Sequence, residues 1–234
     1  MKRIAIVAAM PGELGPFLKS QAKEGWVREK RGDVKLWRLV WPIEQGEWIA
    51  ACAGAGQQAA TRAFAAIEQD GPVSMAISIG WVGALDEKFV PGHAYRASGV
   101  IDQQTGERFL TNQAGEPLWL VTSPRVADEA EKQRLATSYG ASLVDMEAAA
   151  VARLAAMRSI PFYAVKGVSD GFRDKLPDFN KFLGPKGEFQ LLRLILFVLP
   201  RPWLWPALVR MGENSKRASQ AIARDLLDLL GEQG

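Results

Sequence analysis

The chain has few of the residue types on which several kinds of chemistry depend. It holds one cysteine, Cys52, and one histidine, His93. A single cysteine excludes an intramolecular disulfide and fits a reducing compartment. Cys52 lies in the apolar run 49–53, so it reads as a buried structural thiol and not as a nucleophile. One histidine removes His-rich metal sites, and neither a metal nor an organic cofactor is expected. His93 follows Pro91-Gly92 in what reads as a turn, which argues against a Ser-His-Asp triad. No uninterrupted apolar run reaches the length of a membrane span. The apolar run 4–10 is too short for a signal peptide and reads as a first strand, so the expected location is cytoplasmic. The net charge of +3 is mild, and no Lys/Arg stripe with interleaved aromatics appears, so no nucleic-acid partner is expected.

What is present is an ordinary globular composition, 48% hydrophobic and 24% charged over 234 residues. That length fits one α/β domain, 1–234, with a sizeable core. Short apolar runs bounded by glycine and proline alternate with amphipathic stretches, which predicts βα units wound into one sheet. The expected strands are 3–9, 34–40, 48–53, 73–79, 93–100, 118–122 and 162–168. The expected helices are 13–22, 57–68, 128–138, 146–158, 188–198 and 214–230. The polar stretch 102–116, with two glycines, reads as a hairpin or surface loop.

The segment 183–211 departs from this pattern. Residues 191–199 are apolar on every side except Arg193, and Pro200-Arg201-Pro202-Trp203-Leu204-Trp205-Pro206 then predicts a helix break. A helix apolar all round is either buried or covers something greasy. Packing on the sheet is the first expectation. The two tryptophans between prolines keep open a lid or peripheral membrane contact.

Gly54-Ala55-Gly56 follows a strand and opens a helix, like a dinucleotide fingerprint. The next strand ends Ser78-Ile79-Gly80, without the acid that would hold a ribose, so a tight strand-to-helix turn explains the glycines. Gly80-Trp81-Val82-Gly83-Ala84-Leu85 reads as a second strand end where the backbone turns closely. Three acids stand at strand ends or helix starts: Glu13, Glu147 and Asp170. Each alone has a plain explanation in the helix macrodipole or a turn. Together they point to a shared cleft, because open α/β sheets bind ligands at strand ends.

Four stretches carry a family resemblance: Ile4-Ala5-Ile6-Val7-Ala8-Ala9-Met10 with Glu13, the Gly80 to Leu85 turn, Val144-Asp145-Met146-Glu147, and Val168-Ser169-Asp170. On these the chain resembles the purine nucleoside phosphorylase/uridine phosphorylase superfamily, most of all the 5′-methylthioadenosine/S-adenosylhomocysteine nucleosidases. The resemblance covers about residues 1–182. It implies a three-layer αβα sandwich around a mixed, mostly parallel sheet, and a homodimer. It implies that Asp170, beside Ser169, protonates the leaving base and that Glu13 activates water. Glu147 would hold ribose hydroxyls, and Met146 would pack beneath the sugar. Lys166 would pair with Glu13 or Glu147. Val126 falls near the base-stacking position, and Trp81, after Gly80, takes a place that is a small serine in the nucleosidases.

The implied reaction is cleavage of the N-glycosidic bond of an adenosine-type nucleoside. Asp170 must then carry a proton while Glu13 and Glu147 stay ionised. Water is favoured over phosphate because Ser78 stands near the glycine turn where phosphorylases have an arginine, and Glu13 would repel a phosphate dianion. A phosphorolytic purine nucleoside phosphorylase is the alternative. A non-catalytic nucleoside-binding or membrane-surface protein on the same fold is an alternative of another class. The apolar segment 183–211 lies where the family covers the 5′ side of the sugar, which suggests a bulky apolar 5′ substituent. A polycyclic lipid such as that of adenosylhopane is one candidate, since a related branch is associated with hopanoid synthesis.

Overall fold

The computed structural model describes residues 2–21, 25–40 and 46–232. Its centre is built from strands whose side chains alternate between two apolar layers. In β1 (Arg3–Ala8), Ala5 and Val7 enter one core while Ile4, Ile6 and Ala8 enter the other. A strand buried on both faces needs a continuous apolar run, and Ile4-Ala5-Ile6-Val7-Ala8 supplies it.

β1 lies between β4 (Glu47–Cys52) and β5 (Met75–Ala84), parallel to both. An antiparallel ribbon, β2 (Val27–Arg31) and β3 (Val34–Val40), extends the β4 edge. On its other side β5 meets β10 (Leu143–Asp145) antiparallel and β11 (Phe162–Asp170) parallel. β9 (Trp119–Thr122) and β7 (Gly99–Asp102) continue in parallel from β10, and β8 (Arg108–Leu110) closes that edge as a hairpin with β7. β6 (Ala94–Ala97) pairs antiparallel with β11. The sheet therefore forks at β5, and its pairing is more evenly mixed than a repeat of βα units would give.

Helices α2 (Gln57–Glu68) and α4 (Ala148–Met157) cover one face with Phe64, Ile67 and Val151. Helices α1 (Pro11–Ser20) and α6 (Trp205–Glu232) cover the other with Leu14, Phe17, Ile222 and Leu226. Helix α3 (Glu129–Tyr139) inserts Leu135 beside Val121 and Val144. The short α5 (Leu191–Val198) buries none of its residues.

Several boundaries differ from the sequence expectation. The strand expected at 73–79 runs on to Ala84, so Gly80 and Gly83 do not turn the chain. They make room: a Cβ at Gly80 would sit 3.1 Å from Glu13 Oε1, and one at Gly83 would sit 3.0 Å from Lys132 Cε and 3.2 Å from Asp170 Oδ2. The strand expected at 93–100 is two strands. At the break, the Ser98 hydroxyl donates to Leu118 O and accepts from Leu118 N–H. The helix expected from 214 begins at Trp205, because Pro206 falls in the first turn, where a missing N–H costs nothing. The helix expected from 146 begins at Ala148, and that expected from 188 begins at Leu191. Strands β2 and β10 were not expected; β2 is charged and largely exposed, and β10 has three residues, while β8, also of three, forms the hairpin expected within 102–116 as one of two readings. The expected end of α1 at Ala22 lies outside the described residues.

Candidate active site

The C-terminal ends of β1, β5, β10 and β11 face one cavity of about 150 Å³ that opens to solvent. Met10, Glu13, Trp81, Val126, Met146, Glu147, Ser169 and Asp170 line it. Gly80 and Lys166 do not; both stand one layer behind, against Glu13 and Asp145 respectively.

Glu13 is the third residue of α1, and its carboxylate reaches back over the helix start. Oε2 accepts from the N–H groups of Ala9 and Met10, both at 2.8 Å, and Oε1 accepts from Trp81 N–H at 2.9 Å. The indole of Trp81 is held in turn, its Nε1 donating to Ser219 Oγ of α6 at 2.8 Å. Burial nevertheless raises the Glu13 pKa above the usual carboxylate value, against the lowering effect of the three N–H groups and of Lys166.

Glu147 immediately precedes α4. Its Oε1 accepts from Gly56 N–H at 2.7 Å, so the turn at Gly54-Ala55-Gly56 also presents a donor to the site. Its pKa is pushed up to about 8, first by burial and then by the neighbouring Asp145 carboxylate. The expectation that Glu147 is simply held ionised is therefore corrected, since enclosure without a direct cation partner favours its neutral form, whereas at Glu13 the three N–H groups and Lys166 oppose the effect of burial.

Lys166 is the second correction. It pairs with neither Glu13 nor Glu147. Its ammonium lies 2.9 Å from Asp145 Oδ2 and donates to Ser78 Oγ at 2.8 Å, fully buried. Asp145 also accepts from Thr122 Oγ1 at 2.7 Å and from Ala148 N–H at 2.9 Å. This buried pair fixes the 145–148 segment, and so aims Met146 and Glu147.

Asp170 ends β11. Its Oδ1 accepts from Ser169 Oγ at 2.6 Å, and its Oδ2 is bound by the ammonium of Lys132. Lys132 comes from α3, is buried, and also donates to Gly171 O at 2.7 Å. Sequence reading missed it, because a lysine in a polar helix gives no sign of pointing inward. Val126 presents its backbone: its N–H donates to Asn180 Oδ1 at 2.9 Å and its carbonyl accepts from Asn180 Nδ2 at 3.0 Å. Phe179, Leu183, Phe189 and Met211 give the cavity an apolar wall. Trp203 and Trp205 do not reach it; both are exposed. Among the described residues no cluster of His, Cys, Asp and Glu could hold a metal ion. Cys52 is buried, and burial pushes its thiol pKa up to about 12.

No curated protein matches the chain. Among solved structures it is similar to a Helicobacter pylori 5′-methylthioadenosine/S-adenosylhomocysteine nucleosidase with butyl-thio-DADMe-Immucillin-A, at 16% identity and TM-score 0.74, covering 99% of both chains. It is similar to the Helicobacter pylori futalosine hydrolase at 15% identity and TM-score 0.73, covering 99% of this chain and 98% of that one. It is also similar to the Arabidopsis thaliana 5′-methylthioadenosine nucleosidase at 16% identity and TM-score 0.69, covering 98% and 96%. These likenesses concern the fold. The family model of the phosphorylase superfamily matches residues 3–128 and 117–188, so the chain belongs to that superfamily of enzymes.

Proposed function

We propose that this protein hydrolyses the N-glycosidic bond of a purine nucleoside. One observation carries the reading: Glu13, Glu147 and Asp170, from three separate parts of the chain, share one cavity with Met146. Breaking such a bond builds positive charge on the sugar and negative charge on the base, and the three acids suit those two needs.

In this reading Asp170, paired with Lys132 before substrate arrives, takes up a proton from solvent on substrate binding and gives it to a ring nitrogen of the base as the bond from the anomeric carbon to the base breaks. The carboxylate left behind is stabilised by Lys132 and Ser169. Water adds to the anomeric carbon and its proton passes to Glu13 as the carboxylate, whose orientation three backbone N–H groups fix. The products are free purine and free sugar. Glu147 holds ribose hydroxyls and Met146 packs under the ring.

Phosphorolysis is the second reading, favoured by one observation: Arg125 stands in the cavity wall. Against it, Ser78 is buried and bonded to Lys166, and the Glu13 carboxylate would face a phosphate dianion. The apolar wall of Phe179, Leu183, Phe189 and Met211 supports a substrate with a bulky apolar 5′ group, a polycyclic lipid being one candidate.

The deciding experiment is product analysis on adenosine and a 5′-alkylthio analogue, with and without phosphate. Free purine and free sugar in phosphate-free buffer are expected. A strict phosphate requirement with sugar 1-phosphate formed would reverse the ranking. No purine release under either condition would leave a nucleoside-binding protein on an enzyme fold.

A further inference from the structure

The largest exposed apolar surface of the described residues lies in one stretch. Of the twelve large hydrophobic residues exposed among them, eight fall between Leu191 and Val209. On α5 these include Leu192 and Leu196, at 70% and 63% exposure, and beyond the bend Trp203, at 70%. Exposed patches of this kind mark interaction sites, since a folded monomer otherwise keeps them small.

The segment is bent. α5 and the helical stretch after Pro202 meet at 114°, and among the described residues no single helix is long and apolar enough to cross a membrane. One side of this bent pair is held to the body and to itself: Phe197 packs on buried Phe182 with ring centres 5.3 Å apart, and Trp205 Nε1 donates to Val198 O at 3.0 Å. The other side, with Leu192, Leu196 and Trp203, faces outward.

Charge selects the partner. Residues 189–211 contain three arginines, Arg193, Arg201 and Arg210, and no aspartate or glutamate. A second copy of the chain docked face to face through a two-fold axis would bring these cations together, while the flanking carboxylates Glu188 and Glu213 are already engaged by Lys186 N–H and Arg217. An anionic lipid surface offers phosphate oxygens at the depth where arginine and tryptophan settle, with hydrocarbon below for the leucines. Leu183, Phe189 and Met211, which flank the patch, line the cavity, so the apolar surface runs into the site.

We infer that the bent helical pair at 191–209 is a peripheral docking surface for an anionic membrane, seated so that the cavity mouth opens toward the lipid. The inference goes beyond the nucleosidase reading and does not rest on it. Its test contains no substrate, so the two fail separately.

The full chain is sedimented with vesicles of phosphatidylcholine alone and of equimolar phosphatidylcholine and phosphatidylglycerol. Binding to the phosphatidylglycerol vesicles is expected, weakened by salt. R193E/R210E is expected to lower the partition coefficient by about tenfold or more. L192D/L196D is expected to abolish binding. Both variants change exposed side chains only, and an unchanged melting temperature shows that they fold. In the wild type, lipid-borne bromine should quench tryptophan emission, and Trp203→Phe should reduce that quenching. No wild-type binding, equal binding by the variants, or a wild-type dimer that L192D/L196D turns into a monomer would each overturn the inference.

Discussion

Lys132 of α3 binds Asp170 at the end of β11, and glycine at position 83 is what lets them meet. A Cβ there would press on both, at 3.0 Å from Lys132 Cε and 3.2 Å from Asp170 Oδ2. The pair is enclosed, with side chains 2% and 11% exposed, so removing either partner strands the other in a poorly solvated place.

Lys132→Met should therefore cost about 3–5 kcal/mol of stability, the usual loss when one side of a buried pair is deleted. The double variant K132M/D170N should recover much of that loss, because no uncompensated charge remains. Urea unfolding of the four proteins measures the coupling. Additive losses would mean that the two groups do not depend on each other.

Asp170→Asn should fold and should lose about 10²–10⁴ in kcat on a purine nucleoside, since an amide cannot deliver the proton. Steady-state kinetics beside a circular dichroism spectrum decides it. Near-wild-type turnover would remove Asp170 from the mechanism.

Glu147 links the site to pH. The folded protein holds its proton up to about 8, while the unfolded chain releases it near the ordinary value of 4.5. The stability it contributes is complete below pH 4.5 and is lost as pH rises through about 8. Glu147→Gln keeps a neutral group throughout. Its stability relative to wild type should thus rise across that window and then level off. Melting temperatures of both proteins over the range test this; a constant difference would mean that Glu147 titrates normally.

The apolar wall of the cavity predicts a graded response to substrate. Each methylene added to a 5′-alkylthio group and buried against Leu183, Phe189 and Met211 should raise kcat/KM by about fourfold, from roughly 0.8 kcal/mol per methylene. A series of increasing alkyl length, read as kcat/KM, checks it. A flat series would detach the apolar wall from substrate choice.

The amino-acid order alone determined the parts of this protein that rest on local pattern. The apolar run at 4–8 must be a strand buried on both faces, and the runs at 57–68 and 148–157 carry a helical apolar stripe wherever they pack. The acids at 13, 147 and 170 stood out for the same reason, since each sits at a helix start or a strand end that its own sequence marks. What lies across space was not legible. Lys132 is one of several charged residues on a polar helix, and only the docking of α3 turns it toward Asp170. Lys166 was read as a partner of Glu13 or Glu147, yet the register of β11 beside β5 brings it to Ser78, and the approach of β10 gives it Asp145. Whether an acid is ionised likewise depends on enclosure by distant residues, which is why Glu147 departs from the sequence expectation. The apolar character of 191–209 is written in the chain, but its exposure was decided by the bend at Pro200–Pro202 and by the one side that Phe197 and Trp205 tie down.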